Sequence, residues 1–204
     1  MLDGMFALAI YDRMKKELIL ARDRFGEKPL YWSLKSNTFS FASELKSLIA
    51  GMRNISAKDI DKASLAQYFL YRYVPSPQTI IKGIQKLRPG SFLVINEDLE
   101  CFESIWATNE IEPWEGQITQ KSFEQTCMMT EKALLQSLER RLISDVPLGL
   151  FMSAGLDSSL VAVLCSRVFN RPLDTFTYGS KNNPHSEHNV AIKLSSSLGH
   201  NPHC

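Results

Sequence analysis

The sequence predicts two unlike halves: an α+β, strand-rich first half, followed by the start of an α/β half built on a parallel sheet. Three observations carry this. Residues 5–42 hold four short apolar segments separated by polar turns, which is hairpin spacing. Residues 147–198 alternate short apolar runs with helical stretches, the order of parallel strands joined by right-handed crossovers. Between the halves, residues 108–120 are polar and contain Pro113 and Gly116, a linker composition.

The elements follow in order. Residues 5–11 form an unbroken apolar run, expected as a strand buried on both faces. Residues 17–21 pair with it across a polar turn. Residues 30–34 and 38–42 flank Ser36 and Asn37 as a second hairpin. A short helix at 44–49, after Ser43, should stop at Gly51. Residues 59–73 have helical spacing, with Ile60, Leu65, Tyr68, Phe69 and Arg72 near one another and Pro75 and Pro77 ending the helix. Residues 79–81 and 91–95 are expected as strands around the turn at Pro89 and Gly90. Ser122 with Gln125 reads as a capping box opening a long helix to about residue 143. Residues 147–152 are a strand and 153–159 a loop. Leu156, Leu160, Val161, Leu164 and Val168 are the expected core face of the next helix. A strand at 173–178 and a helix at 187–198 follow, and a further strand is expected where the sequence reaches His203 and Cys204.

Composition excludes several classes. Apolar residues make up 44%, enough for a core. Lys and Arg number 23 against 22 Asp and Glu, a balance that argues against whole-chain electrostatic binding of nucleic acid. No stretch approaches a membrane span, and residues 5–11 lack the flanks of a signal peptide, so a cytoplasmic protein without membrane partners is expected. Cys101, Cys127, Cys165 and Cys204 are widely separated, which fits reduced thiols rather than a zinc knuckle.

The chemistry-bearing segment is the loop Ser153, Ala154, Gly155, Leu156, Asp157, Ser158 and Ser159, set between a strand and a helix. A helix N-terminus offers unpaired N–H groups and positive dipole potential to an anion. Gly155 permits close backbone approach, and Ser153, Ser158 and Ser159 add hydroxyl donors. Asp157 repels phosphate unless Mg²⁺ lies between them. The Walker A and dinucleotide patterns fail, for want of the Lys and of the spaced glycines. Two alternatives stay open. Phe151 to Gly155 keeps half of a hydrolase elbow, with Asp174 and His185 or His188 following in triad order. In the other, Ser153 or Asp157 merely caps the helix.

The loop resembles the pyrophosphate loop of the ATP pyrophosphatase superfamily. The segment from Ser144 to Gly149 before it agrees. So do Gly4 to Asp12, Ala21 to Tyr31 and Phe41 to Lys46, which resemble the second half of a class II glutamine amidotransferase domain. Tyr73 to Ile80 and Leu87 to Leu93 resemble its ending. Together these motifs resemble the glutamine-hydrolysing asparagine synthetases over nearly the whole chain. The resemblance implies the C-terminal half of a β-rich class II glutaminase sandwich in residues 1–110. A linker at 111–120 follows, then the start of an adenine-nucleotide α-hydrolase-like ATP-binding domain at 121–204.

In that family glutamine supplies ammonia, ATP adenylates the aspartate side chain, and ammonia displaces AMP to give asparagine. The resemblance therefore implies ATP and Mg²⁺ as cofactors, with aspartate and glutamine as small-molecule partners. Ser153, Gly155, Asp157, Ser158 and Ser159 would hold the pyrophosphate, Asp157 through Mg²⁺. Phe151 and Tyr178 fall where relatives hold the adenosine with backbone groups. The family's cysteine nucleophile has no counterpart here, and none of the four cysteines lies in a matching motif, so no catalytic residue is assigned. The expectation is an inactive fragment lacking both ends. A nucleotide-binding remnant, or an amidotransferase for a sugar or peptide carboxylate, is the alternative, and oligomerisation is left open. Ala154 stands where the loop usually has a second glycine. It is strained by about 1 kcal/mol if its φ is positive, or its methyl crowds the phosphate.

Four further groups have plain readings. Arg22, Asp23, Arg24 and Lys28 read equally as a solvated turn or, by the resemblance, as a segment ordering the glutamine site. His185 with His188, and His200 with His203, lack the partners of a metal site. Arg140 and Arg141 complement a helix dipole. Trp32, Trp106 and Trp114 are expected to pack rather than stack on bases.

Overall fold

The computed structural model describes residues 2, 4–52, 55–107, 122–179 and 186–204. The chain divides into two compact units, Met1–Gly116 and Gln117–Cys204. The expected linker falls outside the described residues.

In the first unit, β1 (Ala7–Asp12) and β2 (Glu17–Arg22) form the first hairpin, with Asp12 opposite Glu17. β3 (Tyr31–Lys35) and β4 (Thr38–Ala42) form the second. Its two turn residues, Ser36 and Asn37, both have positive φ (50° and 58°), the twist-matched turn that joins antiparallel strands tightly. α1 (Leu45–Gly51), α2 (Lys62–Tyr71), β5 (Gln85–Lys86), β6 (Ser91–Ile95) and β7 (Cys101–Ile105) complete the unit. The strands make two antiparallel sheets, ordered β1-β2-β6-β7 and β4-β3-β5. Leu20, Leu93 and Ile95 of the first sheet meet Trp32 and Phe39 of the second around buried Leu30 and Leu87, which gives one core between two sheets. A second cluster of Leu48, Ile81 and Ile84 packs with Tyr31, Ala42 and Leu45. Gly90 is fixed by its surroundings: its φ is 63°, and an added Cβ would lie 2.2 Å from the Ala107 carbonyl oxygen.

Several expectations are corrected. β1 is not buried on both faces: among the described residues it pairs only with β2, and Ile10 and Tyr11 are exposed. α1 runs through Gly51, and its N-cap is Glu44, not Ser43. The 59–73 helix is broken near its start by its own acids. Ser56 and Asp59 form a capping box on a short 3₁₀ turn, and Asp61 then caps α2 through the Ser64 N–H. The helix stops at Arg72, in left-handed backbone, before either proline. Of the residues grouped on this helix, Leu65 is half-buried, while Tyr68 and Phe69 are exposed. Residues 79–81 form no strand. The Thr79 hydroxyl lies 2.9 Å from the Ile81 and Ile84 carbonyl oxygens and accepts the Ile81 N–H, which replaces a ladder with local bonds. Only an isolated bridge, Ile60 to Ile81, remains.

In the second unit, α3 (Phe123–Arg141) opens with the expected Ser122/Gln125 capping box and ends with Arg140 and Arg141 in its last turn. Then β8 (Gly149–Phe151), α4 (Leu156–Arg167), β9 (Asp174–Phe176), α5 (His188–Ser197) and β10 (Asn201–His203) alternate. The three strands are parallel, in the order β10-β9-β8. Met152, Ala162, Ala191 and Leu198 form the core, joined by Leu150 and Leu194. The buried residues of α4 are Ala162, Leu164 and Cys165. Leu156, Leu160 and Val168, expected inside, are exposed, because the helix approaches its neighbours along the side of small Ala162.

Candidate functional site

The loop between β8 and α4 is built from short side chains that bond to their own backbone. Ser153 Oγ accepts the Gly155 N–H at 3.1 Å. Ser158 Oγ accepts the Ser153 N–H at 3.2 Å and lies 2.9 Å from Ser153 Oγ. The Ser158 hydroxyl proton faces the carbonyl oxygens of Ser153 (3.1 Å) and Gly155 (3.3 Å), and Ser159 Oγ donates to the Gly155 oxygen at 2.7 Å. The structure thus brings Ser153, Gly155, Ser158 and Ser159 together.

The N-cap of α4 is Gly155, and no side chain caps the helix. The reading of Ser153 or Asp157 as a cap is therefore corrected. Asp157 sits in the first turn with its side chain exposed. A Cβ on Gly155 would lie 3.1 Å from Ser153 Oγ, so a side chain there would crowd the cradle. Ala154 is absent from the residues with positive φ, so the strain alternative at this position falls away.

Phe151 ends β8 opposite Phe176, and Tyr178 follows just beyond β9. Both rings are exposed, at 88% and 97%. They lie, like the loop, at the C-terminal end of the parallel strands, where open α/β sheets bind ligands.

No hydrolase triad is assembled among the described residues. Ser153 bonds only within the loop, His188 Nδ1 lies 2.7 Å from Ser186 Oγ, and His185 lies outside the described residues. Asp174 instead meets His203: Nε2 lies 2.8 Å from Asp174 Oδ1, and Asn201 Nδ2 donates to the same oxygen at 2.6 Å. His203 first, then Asn201, holds the Asp174 carboxyl below the usual range. The His203 ring stacks on Phe176 at 5.0 Å. This network is not legible in the sequence: Asp174 lies 27 and 29 residues before Asn201 and His203 and meets them through parallel pairing. His200 is structural: it is buried, its Nδ1 accepts the Leu173 N–H, and its Nε2 faces the Ala162 oxygen. No metal-binding cluster of His, Cys, Asp and Glu occurs among the described residues.

In the first unit, the solvated-turn reading fails for Arg22 and Asp23, which are 9% and 1% exposed. Arg22 donates to the carbonyl oxygens of Lys28, Leu87 and Gly26. Asp23 accepts the N–H groups of Phe6, Phe25, Glu27 and Lys28. Burial pushes the Asp23 carboxyl up, but the four amides outweigh it and hold it below the usual range. Arg24 and Lys28 stay exposed. Trp32 stacks on Phe39, and Trp106 stacks on Phe6 and donates to the Arg22 oxygen, so both are packing residues. Trp114 lies outside the described residues. All four cysteines are free, and burial pushes the Cys101 and Cys165 thiols up.

Residues 1–106 match the glutamine amidotransferase domain family, and residues 129–204 match the asparagine synthase family. The chain belongs to the glutamine amidotransferase family and continues into an asparagine synthase domain. This amidotransferase–synthase chain is 34% identical, over 97% of its length, to glutamine-hydrolysing asparagine synthetase 1 of Bacillus subtilis strain 168, of which it covers 30%. It is 32% identical, again over 97% of its length, to a putative glutamine-hydrolysing asparagine synthetase of Mycobacterium tuberculosis, of which it also covers 30%. A putative enzyme of the same description in Methanocaldococcus jannaschii is 32% identical over 87% of the chain. The chain spans about a third of the length of the curated relatives it matches. No described helix is long and apolar enough to cross a membrane.

Proposed function

We propose that the chain is part of an ATP-dependent asparagine synthetase, with its second unit supplying the pyrophosphate-binding loop. The observation that carries this is the uncapped N-terminus of α4, facing the C-terminal end of the parallel strands through a glycine cradle. A polyphosphate there meets the N–H groups of the first helical turn and the positive end of the dipole. The exposed Asp157 carboxylate is an oxygen ligand suited to Mg²⁺, which would neutralise charge on the leaving pyrophosphate. Phe151 and Tyr178, at the neighbouring strand ends, would flank the adenosine with their backbone groups.

In the whole synthetase the aspartate carboxylate would attack the α-phosphorus and release pyrophosphate. Ammonia from glutamine would then displace AMP. The first unit fits the C-terminal half of a class II glutaminase sandwich, and the second fits the start of an adenine-nucleotide α-hydrolase-like domain.

Titration calorimetry of the chain with pyrophosphate and with ATP tests the reading. With Mg²⁺ present, Asp157→Ala should weaken both ligands at least tenfold, about 1.4 kcal/mol. Without Mg²⁺ it should not weaken them. Equal Mg²⁺-dependent binding by both proteins removes Asp157 from the site, and no binding by the unmodified chain refutes the loop assignment.

A further inference from the structure

The first unit contains a cavity of about 500 Å³ beside α2, far in sequence from the pyrophosphate loop. Its wall is apolar, from Leu45, Leu65, Ile80 and the ring of Tyr68. Two cations, Arg72 and Lys86, line it, and among the described residues no acidic one does. That volume suits a small organic ligand.

The two cations differ: Arg72 is exposed but strained in its backbone, and Lys86 is half-buried. Arg72 holds a left-handed backbone, φ 67°, at the C-cap of α2, where glycine is the unstrained choice. Among the described residues its guanidinium has no hydrogen-bond or ion-pair partner. Strain kept at a charged residue over a cavity points to a use for that side chain. Lys86 is half-buried and donates to the Val74 carbonyl oxygen. Burial, and then the positive charge of Arg22, disfavours its ammonium, and among the described residues no carboxylate offsets them.

We propose that this cavity is a second ligand site, for a small carboxylate with an apolar body. The carboxylate would face Arg72 and Lys86, and the body would lie on Leu45, Leu65 and Ile80. A neutral ligand leaves both cations uncompensated, and a purely polar anion leaves the apolar wall uncovered. The inference does not depend on the nucleotide reading, since all its residues lie in the first unit.

The test uses 4-phenylbutyrate as probe and 4-phenylbutanamide as its neutral isostere, followed by calorimetry and by amide shifts on the full chain. The carboxylate should bind saturably, at least tenfold tighter than the amide, and shift the Tyr68 and Arg72 resonances. Arg72→Gly should weaken it at least tenfold while melting no lower than the unmodified chain, because glycine relieves the backbone strain. Lys86→Met should weaken it too. Equal binding of carboxylate and amide, unchanged binding by Arg72→Gly, shifts confined to other residues, or no saturable binding would each overturn the proposal.

Discussion

Replacing Asp23 by Asn keeps the side chain's shape but removes its negative charge and turns one oxygen into an NH₂ group. Oδ1 accepts from Phe25 and Glu27 at 3.2 and 2.9 Å, and Oδ2 accepts from Phe6 and Lys28 at 3.3 and 2.9 Å. Each oxygen serves two donors, so the amide loses two of the four bonds in either orientation and sets its own donors against two N–H groups. A hydrogen bond to a charged group contributes about 1.5–3 kcal/mol, so the expected loss is about 3–6 kcal/mol. Against a domain stability of about 5–15 kcal/mol, that is a large fraction. Urea unfolding followed by tryptophan fluorescence reads it, since Trp32 and Trp106 both pack in this unit. Hydrogen exchange at the four amides locates it. A loss under about 1 kcal/mol, with all four amides still protected, would refute the view that this carboxylate organises the turn.

The same group sets a pH dependence. Its folded pKa lies below the unfolded value of about 3.9, so its stabilisation is complete above about pH 4–5 and is lost as pH falls through the folded value. Asp23→Asn should flatten the acid limb of the stability curve, and an unchanged limb would contradict this. In the second unit, Thr175 Oγ1 and Ser195 Oγ lie 2.5 Å apart and fully buried. Thr175→Val should cost about 1–3 kcal/mol by stranding the serine hydroxyl, and adding Ser195→Ala should recover part of it in thermal melts. Arg72→Gly should raise the stability of the first unit by about 1 kcal/mol, visible as a higher Tm; a lower Tm would show that the left-handed arginine is held by contacts worth more than its strain.

What the sequence determined by itself is local. The turn at Ser36 and Asn37, the Ser122/Gln125 capping box and the alternation of β8, α4, β9, α5 and β10 depend on residues close in the chain, and their physics is complete there. The loop from Ser153 to Ser159 was legible for the same reason, as a glycine between hydroxyl residues at a helix start. The direction of its hydroxyls was not, because each had several acceptors within a turn and only the folded backbone selects among them. Burial was decided by the tertiary structure. Asp23 reads as a turn residue until Phe6, 17 positions away, donates to it, and Arg22 becomes a buried clamp only when Leu87, 65 positions away, offers its carbonyl. Tyr68 and Phe69 have the spacing of a core face and yet lie exposed, since spacing fixes which residues share a side of a helix but not what that side meets. Asp174, Asn201 and His203 came together by the register of parallel strands, which is set by the packing of the crossover helices and not by any single residue.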